Sequence, residues 1–220
     1  MIQKMKPFLI VFAVLFFIWL AYGFFSIWRI EKPVYTLVSK NNSFEIRDYE
    51  SFIVAQTKVK SKDYNDGLNE GFRIVANYIF GDNVSQSKIA MTTPVVSEMP
   101  VENQEKNQEK IAMTTPVVSE MSGDSMLLYF VMPSEYSLQS LPTPKDDRIS
   151  LIEMGPQRRL VFRFSGWLTS SRLDKKIEIL KAHALSSDLK IGPIQVAQYN
   201  PPWTPPFMKR NEIWAALTSY

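Results

Sequence analysis

Apolar positions follow three rhythms along this chain. From Phe8 to Trp28 there are 21 residues without a charge, rich in Phe, Leu, Ile and Val. A helix of that length spans about 30 Å, the hydrocarbon thickness of a bilayer, so the run predicts one membrane-crossing helix over 8–28. Behind it the apolar residues alternate or cluster over 35–38, 44–49 and 53–59, which predicts strands. Tyr64, Leu68, Phe72, Val75 and Ile79 then recur at spacings of four and three, the period of an amphipathic helix, with Gly81 placed to stop it. Strand patterns return over 127–131, 149–152 and 160–164. A second helix is predicted over 171–185, with Leu173, Ile177, Leu180 and Ala184 on one face and Ser171-x-x-Asp174 as a capping box. Strands over 194–199 and 212–217 complete the pattern. The order strands, helix, strands, helix, strands predicts an α+β fold with two similar halves.

Between the first helix and the strand at 127 the segment KIAMTTPVVSEM is written twice, at 88–99 and 110–121. Ten polar-rich residues, PVENQEKNQE, separate the copies and read as a solvated loop. Each copy carries an extended stretch whose proline cannot donate to a ladder, which favours a sheet edge or the end of a strand. Only one copy can fill one position in the fold. The other falls in a loop, which is tolerated because closure costs only about 0.6 kcal/mol per doubling of length.

Charge divides the chain at the same place as hydropathy. Of 25 Lys and Arg and 22 Asp and Glu, the first 33 residues hold four and one, so 21 of each sign remain behind them. A neutral domain exerts no broad pull on a phosphate backbone, and nucleic acid is not an expected partner. Residues 1–33 therefore read as a membrane anchor and 34–220 as one domain large enough for a filled core. Lys4, Lys6 and the N-terminal amine favour an N-terminus in the cytoplasm. A cleaved signal peptide is the rival reading, since Ala21 and Gly23 are small, but Phe24 to Trp28 carry the apolar run beyond that point. The expected localisation is a single pass through a bacterial inner membrane with the domain in the periplasm. With no cysteine, disulfides, thiolate metal sites and a Cys nucleophile are excluded.

Four motifs in order carry a family resemblance. They are Lys88-Ile-Ala-Met-Thr-Thr-Pro-Val95 with its copy from Lys110 to Val117, Phe130-Val-Met-Pro133, Phe164-Ser-Gly166, and the run from Tyr199 through Pro-Pro-Trp-Thr-Pro-Pro-Phe-Met-Lys-Arg to Trp214. Together they resemble the SOUL heme-binding protein family over residues 34–218. The resemblance implies a distorted eight-stranded β-barrel flanked by two helices, built from two related halves and similar to bacterial effector-binding domains. It also implies non-catalytic binding of heme or another tetrapyrrole. The duplicated motif and the added N-terminal helix depart from the family pattern.

Heme demands an apolar slot, cations for two carboxylates and, optionally, an iron ligand. His183 is the only histidine. It is the candidate axial metal ligand, set against the reading of a surface His favoured by the negative end of its helix. Arg73, Asn77 and Phe80 align at i, i+4 and i+7 away from the core stripe, where they offer a ring edge and a propionate a seat; the competing reading is a Phe under the next loop and an Arg in water. The segment 201–208 has four prolines, is stiff and extended, and presents Trp203 and Phe207 in fixed directions. Met208, Lys209 and Arg210 follow and make this the second candidate wall, unless the loop merely closes the end of the barrel.

No Gly-rich phosphate loop, metal-ligand spacing or nucleophile constellation is present, so a binding protein rather than an enzyme is expected. Carrier, buffer and sensor are the roles in view. A protein-interaction module, or a binder of another small apolar effector, is the alternative.

Overall fold

The computed structural model describes residues 10–21, 31–61, 63–85, 88–89, 92–98, 125–201 and 203–218. The elements are helix α1 over residues 10–21 and strands β1 (Tyr35–Asn41), β2 (Phe44–Tyr49) and β3 (Phe52–Lys60), followed by helix α2 (Tyr64–Ile79). Next come β4 (Val95–Glu98), β5 (Ser125–Val131), β6 (Ile149–Met154) and β7 (Gln157–Phe164). Helix α3 (Ser170–Ser186), β8 (Ile191–Gln198) and β9 (Asn211–Leu217) end the chain. Of the predicted span 8–28, residues 8–9 and 22–28 lie outside the described residues. Among the described residues no helix is long and apolar enough to cross a membrane.

All nine strands form one antiparallel sheet in the order β1-β2-β7-β9-β8-β4-β5-β3-β6. Exchanging β2 with β6, β3 with β7, β4 with β8 and β5 with β9 reverses the last eight strands of that order onto themselves. Two ββαββ halves therefore sit side by side, each lending its first strand to the second strand of the other. β1 is an additional edge strand. The expected distorted eight-stranded barrel is, among the described residues, a curled nine-stranded half-barrel with β1 and β6 at its edges. The ninth strand, β4, comes from the first copy of the duplicated segment. It lies centrally, paired with β5 on one side and β8 on the other. Pro94 immediately precedes it, so the proline marks a strand end and not an edge. The second copy lies outside the described residues.

The sheet has two faces. Outward-facing Ile46, Leu160, Phe162 and Ile213 pack with α2 and α3 into the larger core. The inner face holds Tyr49, Val54, Val96, Tyr129, Val161 and Trp214. The curl brings strands five places apart in the sheet into contact across that face, with Arg159 of β7 lying 5.6 Å from the ring of Phe52 on β3.

Helix α2 starts at Asp63, whose carboxylate accepts from the backbone N–H groups of Asn65 and Asp66 at 2.8 and 3.0 Å. Its buried residues are Tyr64, Gly67, Gly71, Ile74, Val75, Ala76, Tyr78 and Ile79, which keep Tyr64, Val75 and Ile79 of the stripe read in the sequence, with Leu68 half-buried against the core and Phe72 at the edge. Gly71 accounts for the place of Phe72. A Cβ at Gly71 would stand 3.1 Å from Leu128 Cβ, so the missing side chain lets β5 approach and turns Phe72 to the rim, 39 % exposed. Helix α3 is capped by Thr169 and not Ser171, and buries Leu173, Leu180 and Ala184 as its pattern predicts.

Candidate functional site

The proline-rich connection from β8 to β9 is held at both ends. Tyr199 N–H donates to Arg210 O at 3.2 Å, and Arg210 N–H donates to Asn200 Oδ1 at 2.6 Å. Gly166, with φ +107°, donates its N–H to Pro206 O and accepts from Asn211 Nδ2, both at 2.9 Å. A side chain at Gly166 would be strained and would meet the Arg172 guanidinium at 2.8 Å. Phe164-Ser-Gly166 and the Pro-rich run thus meet as one structural unit.

A cleft of about 390 Å³ lies between this unit and the β1–β2 hairpin, within the size range of small-molecule sites. Phe164, Phe207 and Met208 supply its apolar wall. Lys40, Arg163, Lys209 and Arg210 supply cations, Glu45 supplies one carboxylate, and Asn42, Ser43 and Ser165 supply polar edges. Lys209 Nζ stands 4.0 Å above the ring of Trp167, and burial pulls its pKa below the usual lysine value. Lys40 is held by Glu45 at 3.1 Å. Neither Arg163 nor Lys209 has a carboxylate partner among the described residues.

Behind the cleft the inner face carries a buried charge network. Glu212, fully buried, accepts from Arg47, Arg210, Tyr199 and Trp214 at 2.6 to 3.1 Å. Burial alone would raise its pKa. Hydrogen bonds from Arg47 and the charge of Arg210 reverse that, and the carboxyl is held below the usual range. Burial pushes Tyr49 up to about 12, partly offset by Arg47. Arg159, 1 % exposed, hydrogen-bonds Gln157 and lies over the rings of Tyr49, Phe52 and Trp214 at 4.7 to 5.6 Å. Apart from Arg159 Nη1, which is buried without a hydrogen-bond partner, these groups are engaged in holding the half-barrel and the end of the loop, and none of them but Arg210 lines the cleft.

Of the residues singled out from sequence, Phe207, Met208, Lys209 and Arg210 line this cleft, and Trp203 stands on the same loop, 53 % exposed. Trp203 O accepts a hydrogen bond from Trp19 Nε1 of α1 at 2.9 Å. Arg73, Asn77 and Phe80 lie exposed on the outer side of α2 and line neither of the two described clefts, so the two predicted walls do not face one another. His183 stacks flat on Phe44, with ring centroids 3.8 Å apart, and Phe44 stacks in turn on Phe162 at 4.7 Å. Its ring serves packing, and it does not line the cleft. Lys40, Arg163 and Phe164 were missed, because a strand residue that ends beside a loop some 40 (Arg163, Phe164) or 165 (Lys40) positions away leaves no local signature. Phe164-Ser-Gly166 was the available signal.

A second cleft, of about 370 Å³, lies near the start of β1 and contains Glu31, Glu50 and Glu153 against the single cation Lys32. Its acidity opposes a dicarboxylate ligand. Toward a tetrapyrrole the basic cleft offers Phe164, Phe207 and Met208 for a macrocycle and Arg163 and Lys209 for carboxylates, with the carboxylate of Glu45 in the same lining. For the iron its lining offers no histidine, only the thioether of Met208.

Known proteins share the fold. The EcmrR C-terminal domain shares the fold with a TM-score of 0.57 at 11 % identity, covering 85 % of this chain and 99 % of that one. An uncharacterized conserved protein from Listeria innocua gives 0.52 at 8 % identity, over 82 % and 94 % of the two chains. Heme-binding protein 1 of Xenopus tropicalis is 25 % identical over 185 residues, 81 % of this chain and 87 % of its own. Heme-binding protein 2 of Homo sapiens is 26 % identical over 175 residues, 78 % and 77 % of the two chains. The profile of SOUL heme-binding proteins matches residues 30–107 and again 101–216, each match taking in one copy of the duplicated segment. With both halves of the half-barrel inside those two matches, the chain belongs to the SOUL heme-binding protein family.

Proposed function

We propose that this protein binds heme or another tetrapyrrole non-covalently, without chemistry on it, in the basic cleft at the proline-stiffened loop. The observation that carries the reading is the juxtaposition of Phe164, Phe207 and Met208 with two cations, Arg163 and Lys209, that have no carboxylate partner among the described residues. Unpaired cations beside apolar surface suit an amphipathic dicarboxylate, since each propionate gains a charge-assisted hydrogen bond while the ring leaves water. Four prolines within 201–206 limit how far the loop can relax, so Phe207 and Met208 are presented before any ligand arrives. Residues 8–28 tether the domain to a bacterial inner membrane, with 34–220 on the periplasmic side, and the role is that of carrier, buffer or sensor.

Hemin titration of the purified full chain tests the binding. The expected result is a saturable shift of the Soret band with quenching of tryptophan fluorescence, at one hemin per chain. No saturable change at micromolar hemin overturns it. Replacing both Arg163 and Lys209 by alanine separates cleft binding from adsorption elsewhere, because only the former weakens.

A further inference from the structure

We propose that the face formed by β1 and the proline-stiffened loop docks on the surface of an anionic bilayer. β1 is an edge strand exposed at all seven positions. Its apolar residues are not withdrawn: Leu37 and Val38 are 50 % and 46 % exposed, and Val34 just before the strand is 60 % exposed. The end of β1 and the loop share one cleft, in which Lys40 faces Phe207 and Lys209. On the loop side Trp203 and Phe207 are 53 % and 64 % exposed, and Trp167 beneath Lys209 is 48 % exposed. Tryptophans with adjoining lysine and arginine are the side chains that settle at a lipid headgroup layer.

Three observations name the occupant. Arg163 and Lys209 lack carboxylate partners among the described residues, which complements anionic headgroups. Exposed Trp167, Trp203 and Phe207 adjoin those cations, the pairing of aromatic and basic groups that a headgroup layer takes up. Finally, β1 begins seven positions after Trp28, the last residue of the apolar run, so the intervening chain holds the strand within about 20 Å of whatever takes up that run. A second copy of the chain adding to the edge is opposed by the slip in register between Leu37 and Ser39, which leaves Val38 unpaired and kinks the edge. The cleft then opens at the headgroup layer, where an amphipathic tetrapyrrole concentrates. The docking rests on the reading of residues 8–28 as an anchor, but not on heme binding.

The absence of cysteine makes the test direct. Full chains bearing Phe207→Cys, Val38→Cys or Asn77→Cys, each labelled with a nitrobenzoxadiazole fluorophore, are reconstituted into phosphatidylcholine vesicles with and without 30 mol % phosphatidylglycerol (about that fraction suffices for a surface potential). Labels at 207 and 38 are expected to shift to the blue and to be quenched by doxyl lipids in the anionic vesicles, while the label at 77 on the outer side of α2 stays aqueous. Adding Arg163→Glu and Lys209→Glu should lower the quenched fraction about tenfold. Labels at 207 and 38 that remain as aqueous as the one at 77 overturn the proposal. So does shielding at 38 that is equal in both vesicle types and accompanied by disulfide-linked Val38→Cys dimers, which assigns the edge to a second copy. Alkaline carbonate extraction tests the anchor separately, and a failed hemin titration leaves the depth measurement unaffected.

Discussion

Val96 offers a sensitive probe of the duplicated segment. It is fully buried on the inner face and pairs with Tyr129 of β5 and Ala197 of β8. In a chain with one copy, an aspartate there would put an unpaired charge into an apolar layer, at a cost of about 3 kcal/mol or more. This chain carries a spare of identical sequence, with Val118 equivalent to Val96 and Glu120 to Glu98. Contacts within the slot would be the same for either copy, so only the connections differ. With the first copy in place, residues 80–94 and 99–126 connect it to α2 and to the partner of Glu98, Leu127. With the second, residues 80–116 and 121–126 would do so. Scaling closure as (3/2)RT ln n puts the two arrangements within about 0.6 kcal/mol of each other. Val96→Asp in the full chain is therefore expected to cost less than about 1 kcal/mol, because the second copy replaces the first. The companion is the chain lacking residues 100–121, where the connection from Glu98 to Leu127 shrinks from 28 residues to six. Because the full chain already draws on the second arrangement, that deletion should stabilise by only about 0.6 kcal/mol, and it restores the full penalty of Val96→Asp. Urea unfolding of the four proteins, followed by tryptophan fluorescence, reads all three numbers. Equal penalties for Val96→Asp with and without residues 100–121 would refute the exchange, and a deletion that destabilises would refute the closure argument.

Other outcomes stem from the site and the network behind it. Arg163→Ala and Lys209→Ala should each weaken hemin binding about tenfold, while Arg73→Ala leaves it unchanged in the same titration. His183→Ala should keep the Soret maximum of bound hemin where it is and lower stability by about 0.5 to 1.5 kcal/mol through the lost stack on Phe44. Glu212→Gln should destabilise by about 3 to 5 kcal/mol, because Arg47 and Arg210 lose their shared carboxylate in a buried setting. Since the folded pKa of Glu212 is depressed, its contribution is complete above the ordinary carboxylate pKa of about 4.3 and is lost as pH falls through the folded value. Acid unfolding of Glu212→Gln should accordingly show a shallower pH dependence than the parent. A return of the parent slope would argue against the network.

Local patterns carried further in the strands than in the helices. Alternation placed eight of the nine strands, because all of them but the exposed edge strand β1 have one face against a core and a period of two survives any curvature. It missed β4, whose four residues are too few to show a period and whose sequence occurs twice. In α2 the spacing of large apolar residues placed Tyr64, Val75 and Ile79 in the core but also pointed to Phe72, which the close approach of Gly71 to β5 leaves at the edge, and a periodicity that counts bulk cannot register a contact made through glycines. The cap lies at Thr169 rather than Ser171 for a similar reason: three hydroxyl residues, Thr169, Ser170 and Ser171, offer equivalent chemistry over three positions.

By itself the sequence determined the apolar run at the N-terminus, the neutrality of the domain behind it, the stiffness of the proline-rich loop and the basic residues at that loop's end. These are properties of composition and of single bonds, and no tertiary contact alters them. The folded arrangement decided that Phe207 and Lys209 share a cleft with Lys40, Arg163 and Phe164 and not with Arg73 and Phe80. It also decided that His183 serves as a stacking ring and that Glu212 is a buried hub. Each of these depends on which strands become neighbours when two interlocked halves curl into one sheet, and that pairing is fixed by burial summed over the whole chain, which no short stretch records.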